Sequence, residues 1–140
     1  RMAPQLLSTA GLPEAERTAY WVDAVCDAYV QLECEPLGDR GAIDGEIRLE
    51  HLATLQLSRV TSSAQHVRRT PRQIGRACED FFLVSIQTRG EGEVRQDGRR
   101  GRLAPGDFAL YDSTRPYELV FGADFQQIVL MLPGPALRAE

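Results

Sequence analysis

The sequence predicts a mainly β fold, closed as a barrel or jelly roll and preceded by one amphipathic helix. From Glu46 onward, short apolar or alternating runs are separated by turn signals, the pattern of an all-β domain. Asp97-Gly98 lies between two such runs, and this dipeptide favours a type I′ hairpin. Pro105-Gly106 marks the next turn. Many short strands joined by hairpins favour closure, because a closed sheet exposes few edges.

The predicted helix covers residues 13–31 and follows a segment, residues 1–12, that is expected to be flexible. Pro13 suits the first helical position, and Glu14 and Glu16 place negative charge in the first turn. Apolar side chains recur at spacings of four, three, four and three, which predicts an amphipathic stripe. The stripe contains Ala15, Ala19, Val22, Cys26 and Tyr29. Trp21 flanks it and is expected to pack the helix onto the barrel.

Nine strands are predicted in a single barrel domain over residues 46–132, and a linker is predicted to begin at 133–140, where PGP breaks the last strand. The predicted strands are Glu46–Glu50, Ala53–Ser62, His66–Thr70, Phe81–Arg89, Glu93–Gln96, Arg99–Leu103, Asp107–Tyr111, Tyr117–Phe121 and Gln126–Leu132.

Composition argues against several classes of function. A net charge of -4 and a pI near 5.2 oppose the basic surface of a nucleic-acid-binding domain. No run approaches the roughly 18 apolar residues that span a bilayer, so a cytoplasmic location without membrane contact is expected. Cys26, Cys34 and Cys78 form no CxxC pair and predict free thiols. All sixteen basic residues are arginine, and the absence of lysine and asparagine indicates a GC-rich, bacterial genome.

Histidine is too scarce for the usual catalytic sites. A catalytic metal centre generally needs three protein ligands, yet the sequence has only His51 and His66, so no metal is predicted. A nucleophile such as Cys78 or Ser85 would need a histidine base, and no motif brings one near. Neither a metal cofactor nor a hydrolytic activity is therefore expected.

Small-molecule binding is the function that remains. A barrel interior with aromatic and polar groups has the usual composition of a ligand pocket. Phe82, Tyr111 and Tyr117 are candidate ring contacts, with core packing as the alternative for Phe82. Polar or charged candidates are Arg69, Ser85, Gln87 and Arg115, with Trp21 as a further wall; Arg115 could instead tie a turn to Asp112. Arg99, Arg100 and Arg102 form a basic group typical of a solvated hairpin face.

Four short elements in order carry a resemblance to a known family. They are a VxRT strand at 67–70, a QDGR hairpin at 96–99, a PGD turn at 105–107 and a YDSxxPY segment at 111–117. Together with the closing FQQIVLMLPGPAL, they resemble the N-terminal effector-binding domain of AraC/XylS-type transcriptional regulators.

The resemblance implies a cupin-like double-stranded β-helix that holds a small effector, which its aromatic residues suggest is an aromatic compound. It also implies helices after the barrel that form a homodimer, and DNA contact through a C-terminal helix-turn-helix domain outside this chain. An effector would act by shifting the population of regulator conformations, with the N-terminal helix responding to the filled barrel. Two alternatives stay open: a metal-dependent cupin enzyme, and an oligomerisation module whose barrel is filled by its own side chains.

Overall fold

Two antiparallel sheets pack face to face in the computed structural model, which describes residues 3–134. In chain order the strands are β1 (Gln5–Ser8), β2 (Glu33–Pro36), β3 (Gly45–Leu52), β4 (Leu55–Ser62), β5 (Gln65–Arg69), β6 (Phe81–Arg89), β7 (Gly92–Gln96), β8 (Arg99–Leu103), β9 (Phe108–Asp112), β10 (Tyr117–Phe121) and β11 (Phe125–Pro133). The helices are α1 (Glu14–Ala28) and α2 (Pro71–Gly75).

One sheet has the order β1-β3-β4-β11-β6-β9 and the other the order β2-β5-β10-β7-β8. The core lies between them and includes the stacked rings of Phe121 and Phe125, whose centroids are 3.6 Å apart. The mainly β, jelly-roll fold with a helix near its N-terminus is confirmed.

The β7–β8 hairpin confirms the predicted Asp-Gly turn. Asp97 and Gly98 both have positive φ, at 56° and 74°, and the strands pair from Gln96 and Arg99 outward. Positive φ at both central residues is the requirement of a type I′ turn. Because the register of a two-residue hairpin follows from its turn, this dipeptide also determines which side chains face inward.

The helix occupies most of the predicted range, but its buried face differs from the predicted stripe. Ala15 and Ala19 are exposed, whereas Trp21, Ala24, Val25 and Ala28 are buried. These four also follow helical spacing, so periodicity alone supports two adjacent faces. The indole of Trp21 selects between them, because it gains most from burial and is fully buried.

The N-terminal segment is ordered where flexibility was expected. Strand β1 extends the six-stranded sheet by pairing with β3, and the Thr9 amide donates to the Gly45 carbonyl at 3.0 Å. Backbone hydrogen bonds hold this edge strand, so its side-chain pattern carries little signal. Strand β2 and helix α2 were also missed, although Thr70 and Gln73 form a capping box that the sequence contains.

Near the C-terminus, β11 continues to Pro133, the first residue of the predicted linker. Residues 135–140 of that linker lie outside the described residues. Within residues 3–134, no helix has both the length and the apolar character needed to cross a bilayer.

Candidate ligand-binding site

An apolar cavity of about 60 Å³ lies between the two sheets. Six aromatic side chains contribute to its wall: Trp21, Tyr29, Tyr111, Tyr117, Phe121 and Phe125. Two amides, Gln65 and Gln127, are its polar lining residues apart from the tyrosine hydroxyls and the indole. Pockets for drug-sized ligands measure roughly 300–1,000 Å³, so this cavity takes only a few heavy atoms unless side chains move.

Three of the predicted binding residues line this cavity. Trp21 reaches it from α1, and its Nε1 donates to Oε1 of Gln65 at 3.2 Å. The rings of Tyr111 and Tyr117 lie 4.7 Å apart, tilted by 56°. The cavity wall therefore joins the helix, strand β5 and the two strands that carry the tyrosines.

Ser85 and Gln87 lie behind the cavity wall. Both are fully buried on the inward face of β6. The Ser85 hydroxyl shares a hydrogen bond of 2.7 Å with that of Tyr111, and Gln87 Oε1 accepts from Gln127 Nε2 at 2.9 Å. These two predicted residues thus orient cavity side chains and do not line the cavity themselves.

The structure separates Phe82 and Arg115 from the cavity. Side chains alternate along β6, with Leu83, Ser85 and Gln87 buried, so Phe82 points to the opposite face of the sheet. Arg115 lies in an exposed turn, where it pairs with Asp97 and Asp112. Sequence alone could not make this distinction, since a one-residue register change exchanges the two faces of a strand.

Arg115 ties the turn around Asp112 together, which is the alternative role suggested for it by the sequence. Burial acts to raise the pKa of Asp112, but hydrogen bonds from Thr114 and Arg115 outweigh it and leave that pKa below its usual range. The Arg115 guanidinium donates to this carboxylate at 2.9 Å. Arg115 is therefore a structural residue of the β9–β10 turn.

Arg69 is buried beside the cavity, at one end of the barrel. Only 2% of its surface is exposed, and burial lowers its pKa. Its Nε donates to the Ser113 carbonyl at 3.1 Å and its Nη1 to the Gln31 carbonyl at 2.9 Å. It lies in the wall of an outer groove of about 500 Å³, to which Tyr117 also contributes. Tyr117 is therefore shared by the groove and the cavity.

The outer groove is rich in arginine. Five arginines line it: Arg68, Arg69, Arg95, Arg99 and Arg100. Two of these have acidic partners outside the groove lining, Arg68 with Glu33 and Glu35, and Arg95 with Glu93. The basic group predicted on the hairpin is therefore split. Arg99 and Arg100 line the groove, whereas Arg102 lies outside its lining and pairs with Glu91 at 2.9 Å.

Several cavity residues were missed in the sequence. Gln65 and Gln127 lie on inward positions of β5 and β11, and Tyr29 follows the end of α1. The Tyr29 hydroxyl contacts the Ser58 hydroxyl at 2.5 Å, and burial raises the pKa of Tyr29. The alternation in FQQIVLMLP was the available signal for Gln127, but polar residues in a strand are ordinarily assigned to its solvent face.

Potential metal ligands are dispersed. Across residues 3–134, no group of three or more His, Cys, Asp or Glu side chains is arranged to hold a metal ion. His51 is exposed, and His66 lies between Glu35 and Glu118, with Nε2 2.6 Å from a Glu118 oxygen.

Comparison with known proteins identifies the family. The model of the AraC-binding-like domain matches residues 21–140. This chain belongs to the AraC-binding-like domain family. The resemblance seen in the four short elements is confirmed.

Two curated proteins are similar over nearly the whole chain. An uncharacterized protein from the nit 5′ region of Bacillus sp. strain OxB-1 is 46% identical over 134 residues, which cover 96% of this AraC-binding-like domain and 52% of the relative. The transcriptional activator NphR of Rhodococcus sp. is 30% identical over 134 residues, covering 96% of the domain and 40% of NphR. The domain thus spans about half the length of these relatives or less.

Solved structures support the same fold. The AraC-like transcriptional activator CuxR superposes with a TM-score of 0.79 at 20% identity, over 94% of this domain and 47% of CuxR. A putative ethanolamine utilization protein from Salmonella typhimurium superposes with a TM-score of 0.52 at 11% identity, over 64% of this domain and 70% of that chain. At these identities the likeness concerns the fold alone.

Proposed function

We propose that this domain binds a small, largely apolar effector inside its barrel and thereby controls a longer bacterial transcription regulator. The observation that carries the proposal is the cavity wall of six aromatic rings, one of which comes from α1. Apolar walls with a few placed polar groups are the usual composition of a small-molecule site. NphR, a relative with 30% identity, is named as a transcriptional activator.

Helix α1 is the proposed output of the site. Its Trp21 both lines the cavity and donates a hydrogen bond to Gln65 on β5. A ligand that displaces the indole must therefore move α1 or break this bond. The ligand can shift the regulator between conformations only by as much as its affinities for them differ.

The proposal can be tested on the isolated chain with a broad panel of aromatic acids, amines and sugars. An effector at 100 times its dissociation constant should stabilise the domain by about 2.7 kcal/mol, visible as a higher melting temperature. Trp21 is the sole tryptophan, so its fluorescence reports directly on the cavity. An unchanged melting temperature across the whole panel would contradict effector binding by this domain.

Hydrogen exchange tests the output step. Saturation with an effector from that panel should change exchange at amides in residues 6–30, which include α1 and its Trp21. Amides of the exposed β8 strand provide an internal reference, because β8 contributes no residue to the cavity lining. Unchanged exchange in residues 6–30 would eliminate α1 as the output.

The remaining parts of the proposal concern the whole regulator. DNA contact would come from a part of the protein beyond this chain, in keeping with the domain's charge of -4. The regulator would act in the cytoplasm, and this domain would catalyse no reaction itself. A metal-dependent cupin enzyme is the competing activity, and stoichiometric metal in the purified protein would favour it.

A second candidate function is an oligomerisation module. The small volume of the cavity favours it, because much of the barrel interior is filled by the chain's own side chains. The outer face of the six-stranded sheet also exposes Phe108 and Leu110, by 70% and 63%. Two or more copies joined through this face, with no effector response, would support the module over the sensor.

A further inference from the structure

Arg69 is a buried cation that has only neutral partners. Its guanidinium donates to the carbonyls of Ser113 and Gln31, and no carboxylate lies within ion-pair distance of it in the described part of the chain. Burying a charge without a counter-ion is costly, and buried arginines generally have acidic partners. Arg69 therefore has an unmet preference for an anion.

The Tyr117 hydroxyl is open to a partner from outside the chain. The residue as a whole is 2% exposed, and its phenol makes no hydrogen bond to any residue between 3 and 134. Every fully buried side-chain nitrogen or oxygen in that range has a partner, so the Tyr117 oxygen must reach accessible space, and Tyr117 lines the outer groove. Burial raises the pKa of Tyr117 well above its usual range, so the phenol is protonated at neutral pH and can donate.

These two groups are cross-strand neighbours. Tyr117 on β10 lies directly opposite Arg69 on β5 in the antiparallel register, and both side chains point inward. Side chains opposite each other in such a pair share a face, with Cβ atoms about 4.5–5.5 Å apart. Both residues also line the outer groove, so a single small anion in the groove lies within reach of a guanidinium and a phenol hydroxyl.

The surroundings define the rest of the ligand. Tyr117 lines both the apolar cavity and the arginine-rich groove, whereas no charged side chain of the described residues lines the cavity. A ligand whose charged end reaches Arg69 would thus have an apolar body against Trp21 and the other rings. Two of the five guanidinium N–H groups donate to the carbonyls, and the three that remain can donate to a carboxylate.

We infer that Arg69 and Tyr117 bind the carboxylate of the effector, which is a small apolar acid whose body occupies the aromatic cavity. This inference rests on the proposed effector function and narrows its ligand class. Ammonium groups are disfavoured by Arg69, and the groove lining as a whole has five arginines against two carboxylates, Asp97 and Glu118. Sugars are disfavoured because the cavity wall provides few hydrogen-bonding groups.

Matched acid and amide pairs test the inference on the wild-type chain. The probes are propionate with propionamide, benzoate with benzamide, and phenylacetate with phenylacetamide, each measured by titration calorimetry at pH 7. The members of a pair are nearly equal in shape and differ in charge. At least one acid should bind, and about 10-fold or more tightly than its amide, the ratio expected for a hydrogen-bonded charge.

Three variants locate the effect. Arg69→Gln keeps amide donors for the two carbonyls and removes the charge, so it should abolish the preference for the acid. Tyr117→Phe should weaken binding of the acid while leaving the fold intact. Arg102→Gln is the matched control, because Arg102 pairs with Glu91 and lines neither the groove nor the cavity. Its acid-to-amide ratio should equal that of the wild type.

Each other outcome has a distinct meaning. Equal binding of acid and amide, or loss of the preference in Arg102→Gln but not Arg69→Gln, would overturn the carboxylate site. Binding of amides, amines or sugars without acids would also overturn it and would leave effector sensing in place. If no compound of the broad panel binds, both proposals fail. The wild-type ratio needs no variant, so failure of Arg69→Gln to fold does not block the test.

Discussion

Gly45→Ala should disturb the contact between the barrel and α1. A Cβ atom built on Gly45 lies 2.6 Å from Cη2 and 2.8 Å from Cε3 of the Trp21 indole, and closer still to Cζ3. Ordinary van der Waals contact begins near 3.4 Å, so the indole must move by at least about 0.8 Å. The ring is fully buried, and the cavity of about 60 Å³ that it lines gives it little room to move.

The cost can be assembled from three contributions. Overpacking a tight site typically costs about 1–3 kcal/mol. Displacing the indole also weakens its 3.2 Å hydrogen bond to Gln65, which contributes about 0.5–1.5 kcal/mol. Replacing glycine by alanine offsets about 0.4–1 kcal/mol by restricting the unfolded chain. Together these contributions predict that Gly45→Ala lowers the free energy of unfolding by about 0.5–4 kcal/mol.

Urea denaturation followed by tryptophan fluorescence measures this cost and the ring's environment together, because Trp21 is the sole tryptophan. Gly122→Ala is the control: its Cβ meets nothing within 4 Å, and a change within about 0.5 kcal/mol is expected. In a Trp21→Phe background, followed by circular dichroism, the cost of Gly45→Ala should shrink. A Gly45→Ala variant with wild-type stability and unchanged emission would refute this account of the contact.

Three further predictions concern stability and assembly. Tyr111→Phe should cost about 1–3 kcal/mol at pH 7 by leaving the buried Ser85 hydroxyl unpaired, as urea denaturation can show. Burial raises the pKa of Tyr111 to about 12, so the stabilisation from its neutral hydroxyl is complete below about pH 10 and is lost as the pH rises toward 12. Tyr111→Phe should therefore lose less stability than the wild type between these pH values. The pKa of Asp112 is lowered in the folded state, so its carboxylate stabilises the fold above about pH 4, and this stabilisation is lost as the pH falls through the folded-state pKa. Asp112→Asn should therefore make the melting temperature fall less steeply at acid pH. If the chain is an oligomerisation module, sedimentation velocity should show a dimer that Phe108→Ser with Leu110→Ser converts to monomer, and a monomeric wild type would contradict the module.

Strand order along the chain was largely predictable from local chemistry. Phe81–Arg89, Arg99–Leu103 and Tyr117–Phe121 have the predicted bounds, because turn dipeptides and proline restrict the backbone wherever they occur. Strand β1 was not predictable in the same way. It is stabilised by backbone pairing with β3, about forty residues away along the chain, and such pairing leaves little trace in the side-chain pattern.

For the candidate site too, some features follow from local sequence and others from long-range pairing. Composition and motif order, which are local properties, already indicated that tyrosines and a tryptophan were available for a pocket and that histidine was scarce. That Tyr111 faces the cavity while Phe82 faces away became clear from the folded chain, because the direction of a side chain depends on strand register. Tertiary structure also placed Arg69 opposite Tyr117, although 48 positions separate them in the sequence. That pairing depends on how β5 and β10 meet in the sheet, and no interaction between neighbours in sequence specifies it.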